Sequence, residues 1–97
     1  MSARTATYVG PGKSGHADQR VYRLDPPIEW SPGLDEPTET TEYVVVSAVD
    51  ESWATETYIF PSDASGEILD WLELDGSFRG GTDHRQALLN AGYEAQS

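Results

Sequence analysis

Residues 43–49 read Tyr-Val-Val-Val-Ser-Ala-Val. Successive side chains of a strand point to opposite faces, so Tyr43, Val45, Ser47 and Val49 share one face and Val44, Val46 and Ala48 the other. Both faces are largely apolar. A strand of this kind needs a place inside a sheet that is covered on both sides. With 97 residues the chain has room for one such sheet and one modest core.

Neighbouring segments supply the partners. Arg20-Val21-Tyr22-Arg23-Leu24 alternates and reads as a first strand, which Asp25-Pro26-Pro27 is expected to end because proline offers no ladder donor. Residues 28–40 carry Pro32, Gly33, Pro37 and several acids and read as a loop, with Trp30 pinning it to the body. Thr57-Tyr58-Ile59-Phe60 reads as the next strand, reached through a hairpin loop at 50–55, and 63–66 has turn chemistry. Residues 67–74 fit a strand face or a helical stripe; the preferred reading is an extended segment returning onto 57–60. A helix follows. Thr82 is the expected N-cap, Asp83 sits well against the helix dipole, and His84, Ala87, Leu88 and Ala91 form one buried stripe. Gly92 suits the left-handed cap, with Tyr93 closing it.

Residues 1–18 are rich in Gly, Ser, Ala and Thr and are broken at Gly10-Pro11-Gly12, so they read as a flexible arm. The expected architecture is an α+β domain over residues 19–97: a small antiparallel sheet of three to four strands with one C-terminal helix packed on it, preceded by a flexible basic N-terminal arm at 1–18.

Charge separates the chain into the same parts. The net charge is −11, but residues 1–24 hold Arg4, Lys13, Arg20 and Arg23 against Asp18 alone. Residues 25–78 hold 14 carboxylates and no Lys or Arg, and 79–97 are balanced. Such a body repels phosphate backbones and anionic membranes, so direct nucleic-acid or membrane binding through it is not expected. It favours basic partners. No apolar run approaches the roughly 20 residues of a spanning helix, the first residues lack a secretory core, and there is no cysteine for a disulfide or a thiolate. The chain reads as cytoplasmic, or as part of a particle assembled in a cytoplasm.

Several motif fragments are incomplete. Gly10-Pro11-Gly12-Lys13-Ser14 resembles the end of a phosphate-binding loop, but the glycine that loop needs falls on Thr7. Asp63-x-Ser65-Gly66 resembles the middle of a calcium loop, but the two anchoring carboxylates fall on Pro61 and Leu72. His16 with Asp18 and Asp83 with His84 are too few to hold a catalytic zinc. Arg79-Gly80-Gly81-Thr82 leads into a helix N-terminus, where free N–H groups and an arginine suit an anion or a partner carboxylate. The alternative is a connecting loop whose Arg79 pairs with the body's own acids. Trp30 and Trp53 fall in loops, where an aromatic either anchors the loop or marks an interface. The candidate interaction residues are thus Arg4, Lys13, Trp30, Trp53, Arg79, Gly80 and Gly81. No catalytic residue, cofactor or metal is expected.

Val21-Tyr22-Arg23-Leu24-Asp25-Pro26-Pro27, the strand at 43–49, Glu56-Thr57-Tyr58-Ile59-Phe60-Pro61, Asp70-Trp71, Gly76-Ser77-Phe78-Arg79-Gly80, Asp83-His84, Ala87-Leu88 and Ala91-Gly92-Tyr93 together resemble small uncharacterised proteins of actinobacteria and their bacteriophages. The resemblance spans most of residues 20–94 and implies a phage or phage-derived origin; it carries no activity and no site residue.

These observations favour a non-catalytic protein-interaction domain, phage-encoded, acting as a particle component or as a modulator of a host protein. Its expected partner is a protein, either a host protein or a second copy reached by the basic arm. The alternative is an acidic nucleic-acid mimic that inhibits a DNA-binding protein, and the third reading is a small hydrolase.

Overall fold

The computed structural model describes residues 4–13, 18–31, 35, 37–51, 54–74 and 76–96. These form β1 (Thr5–Pro11), β2 (Asp18–Trp30), β3 (Glu39–Glu51), β4 (Ala54–Ser62), β5 (Phe78–Arg79), α1 (His84–Asn90) and β6 (Glu94–Gln96). The strands make one sheet in the order β5-β4-β3-β2-β1-β6. Every pairing is antiparallel except that of β6 with β1, which is parallel.

The expected small antiparallel sheet with a helix laid on it is therefore incorrect. The fold is mostly sheet: six mixed strands curl into a half-barrel around one short helix. The flexible arm is corrected with it, because Thr5–Pro11 lies between β2 and β6, with Ala6 fully buried. The glycine and proline there end the strand without preventing it. Gly12 N donates to the Gln19 carbonyl at 2.8 Å, and a Cβ at Gly12 would meet that of Gln19 at 2.5 Å. Only glycine fits so tight a return.

Asp25-Pro26-Pro27 does not end β2. The β2–β3 ladder runs to Arg23↔Tyr43 and resumes at Ile28↔Thr41, so the prolines lie in a bulge where no donor is required. The Asp25–Pro26 bond is cis. Ile28–Trp30, expected in a loop, pairs with Glu39–Thr41. A second irregularity loops out Val9 between Tyr8 and Gly10 of β1. Bulges bend strands and increase their twist, which helps to curl the single sheet into a trough.

Both faces of β3 are covered, as its sequence requires. Val44 and Val46 join Ala6, Tyr22, Leu24 and Ile59 on the inner face, against Ala87, Leu88, Tyr93, Leu74 and Trp30. Val45 packs outward beside its ladder partners Val21 and Phe60. The turn at 63–66 returns over this outer face: a Cβ at Gly66 would stand 3.0 Å from Val21 Cγ2. Residues 67–74 return beside β4 without forming a continuous strand: Ile68 bridges Ser62, Leu69 N donates to the Pro61 carbonyl and Leu74 N to that of Ile59, both at 2.8 Å.

The helix cap is Asp83 rather than Thr82. Its Oδ1 accepts from Gln86 N at 3.1 Å, while its own N–H donates to Thr57 Oγ1 at the same distance. Gly92 has φ 94°, and Gly92 N and Tyr93 N donate back to Leu89 and Leu88. This places Tyr93 under the helix and directs the chain into β6. No helix among the described residues is long and apolar enough to cross a membrane.

Candidate functional site

Two concavities stand out among the described residues, each touching the helix or the residues that follow it. The larger, about 870 Å³, lies where the prolines of β2, the 72–74 segment and the end of α1 approach one another. Pro26, Pro27, Ile28, Trp30, Leu72, Leu74 and Tyr93 give it an apolar lining, and Arg4, Glu29 and Glu73 supply charge. Two candidate residues far apart in sequence, Arg4 and Trp30, thus meet here. The Arg4 guanidinium sits 5.8 Å from the centre of the Tyr93 ring, a cation–π approach. Trp30 is buried, and its indole N–H has no hydrogen-bond partner among the described residues.

The smaller concavity, about 490 Å³, lies beyond the other end of the helix. It is lined by Tyr8 and Pro11 of β1, by residues 18–20 and Tyr22 of β2, by Arg85 of α1 and by Ala95 of β6. The rings of Tyr8 and Tyr22 meet edge to face at 5.7 Å. Arg20 donates to the Asp18 carboxylate at 3.4 Å and Arg85 to the Ala95 carbonyl at 3.3 Å. Two arginines and one carboxylate make this a positive spot on a strongly acidic chain. Desolvation lowers the Arg20 pKa, but the hydrogen bond with Tyr22 and the charge of Asp18 together outweigh it and raise the pKa above its ordinary value.

The remaining candidates are engaged elsewhere. Lys13 pairs with Glu67 at 3.1 Å and ties the β1–β2 turn to the segment that crosses the outer face. Arg79 pairs with Glu56 at 3.1 Å and Glu73 at 3.8 Å, and lies over Tyr58. Gly80 N donates to the Thr55 carbonyl, and the Gly81 carbonyl accepts from the buried Thr57 hydroxyl. This stretch is thus fastened to β4. Trp53 lies outside the described residues.

His84 is buried, with Nε2 at 2.7 Å from the Asp18 backbone carbonyl. A carbonyl only accepts, so this nitrogen carries the proton and holds the start of β2 against the helix. Among the described residues no three His, Asp or Glu side chains gather as a metal site.

Sequence reasoning missed the most exposed large apolar side chain described. Trp71 is 71% exposed, and Leu69 and Leu72 beside it are also exposed. Its ring meets Phe60 edge to face at 5.2 Å. The backbone on both sides is hydrogen-bonded to β4, and Leu72 N donates to the Asp70 carboxylate at 3.1 Å. Glu67, Asp70 and Glu73 flank it. Ile68, Leu72 and Leu74 fall on one strand face of 67–74 and Leu69 and Trp71 on the other, so both faces carry apolar residues and neither is marked as the exposed one.

Comparison with family models, with curated proteins and with solved structures finds no match for this chain.

Proposed function

We propose that this protein is a non-catalytic protein-interaction domain, an accessory of the phage type that its sequence resemblance implies, working in the host cytoplasm or on the particle. The observation that carries this reading is Trp71. A tryptophan held out by a segment that is hydrogen-bonded to β4 at Leu69 and Leu74, on either side of it, has less conformational freedom to lose on binding than one in a free loop. Tryptophan is also among the residues most enriched at energetic centres of interfaces. The adjacent Asp70 asks for a partner whose apolar pocket carries a Lys or Arg at its rim.

The mimic reading is less well supported. Mimicry needs uncompensated carboxylates, yet Glu42, Glu56, Glu67 and Glu73 all carry cationic partners from the two ends of the chain. Affinity capture with wild-type protein and with Trp71→Ala, from host extract and from purified particles, tests the proposal. Partners retained by wild type and lost with the variant support it. Identical capture by the two proteins refutes it.

A further inference from the structure

We propose that the smaller concavity receives the Trp71 segment of a second copy of this chain, so that copies join head to tail. The inference rests on the reading of Trp71 as a binding anchor and names its partner.

Charge complementarity selects the occupant. The concavity carries Arg20 and Arg85 against Asp18, on a chain with a net charge of −11. Trp71 follows Asp70, which brings the opposite sign, while Glu73 is already held by Arg79 at 3.8 Å. Shape agrees: an indole seated beside the Tyr8–Tyr22 pair meets aromatic edges and faces, and about 490 Å³ is ample for one side chain. Tyr8 is about half exposed, which leaves apolar surface at the mouth.

Topology sets the geometry. Trp71 packs on Phe60 of β4, toward one end of the strand order, whereas the concavity is built on β2, β1 and β6 at the other. Knob and hole are different surfaces, so the contact is heterologous and leaves one of each free after every addition. A tryptophan buries at most about 250 Å², well short of the roughly 1,000 Å² of a stable pair. The association is therefore weak and driven by concentration, as at a particle surface.

Sedimentation and light scattering of the full chain up to about 1 mM protein test this. Wild-type mass should grow with concentration beyond a dimer, and less so in high salt. Trp71→Ala and the pair Arg20→Glu with Arg85→Glu should each lower association at least tenfold, with circular dichroism confirming that they fold. Mixed in equal amounts, the two variants should form a one-to-one complex and stop there, because only one knob and one hole remain intact. A wild type that stays monomeric, variants that associate like wild type, or a mixture that fails to pair overturns the proposal. If the wild type is monomeric while Trp71→Ala still loses a captured protein, self-docking fails and the interaction-domain reading stands; if neither effect is seen, both fail.

Discussion

The Tyr93 hydroxyl donates to the backbone carbonyl of Pro26 at 2.7 Å, joining the residue that closes α1 to the bulge in β2. Tyr93 is almost fully buried, and the bond fixes the floor of the larger groove. Tyr93→Phe leaves that carbonyl without its partner and should cost about 1 kcal/mol. Truncation to Ala also opens a cavity and should cost about 3–5 kcal/mol. Urea midpoints with an unchanged slope would show this.

The same phenol should shape the alkaline limb of stability. Burial, the largest influence, pushes its pKa above the ordinary tyrosine value. Stability is then complete below the unfolded-state pKa and falls as pH rises toward the folded one. Tyr93→Phe should flatten that decline, measured as the urea midpoint above about pH 10.

On the acid side, the Asp63 carboxylate accepts from Ser65 Oγ at 2.7 Å, Ser65 N at 2.9 Å and Glu67 N at 3.0 Å. The Ser65 hydroxyl leads these in holding its pKa below the usual carboxylate value, with Lys13 contributing. The stabilisation is present above the unfolded pKa and lost as pH falls through the lower, folded value. Below about pH 4, Asp63→Ala should therefore lose less further stability than wild type. Parallel acid profiles would contradict the assignment.

Two glycines with positive φ should respond differently to alanine. Gly76 has φ 106°, and a Cβ there would stand 2.5 Å from the Ala87 carbonyl oxygen. Gly80 has φ 95° but open space around it. Gly80→Ala should cost about 1–2 kcal/mol from backbone strain alone, while Gly76→Ala should cost more and loosen the helix. Thermal melts followed at a helix-sensitive wavelength would separate them.

Removing residues 1–11 should unfold the protein rather than trim it. The deletion takes out β1, exposing the edge of β2 and leaving β6 unpaired. Loss of the cooperative melt is the expected result. A truncated chain that melts like wild type would restore the arm.

What the sequence revealed and what it concealed follow from the range of the interactions. The three valines at 44–46 are apolar on both faces, and that local fact places β3 inside a sheet. The helix stripe, Gly92 and Tyr93 are also local, although the cap moved by one residue because both Thr82 and Asp83 can accept. β1 was hidden because its apolar content is slight and its pairing is remote. A three-residue strand such as β6 shows no periodicity at all. Pro26 and Pro27 read as a stop because no local rule announces a bulge. The two concavities assemble Arg4 with Trp30, and Arg20 with Arg85, through sheet closure, so neither pair was visible as a pair. Trp71 was read as an ordinary strand residue because exposure is a tertiary property.

The parallel pairing of β6 with β1 also dictates an order of events. A ribosome delivers β1 and β2 close together, and they can pair at once, but the outer edge of β1 has no partner until β6 has emerged. The helix must form and turn back first, because Gly92 and Tyr93 aim β6 at its place. Such long-range closure is slow relative to local pairing. The sheet edge at β1 therefore stays open until Glu94–Gln96 docks, and that short strand is the latch that ends the exposure.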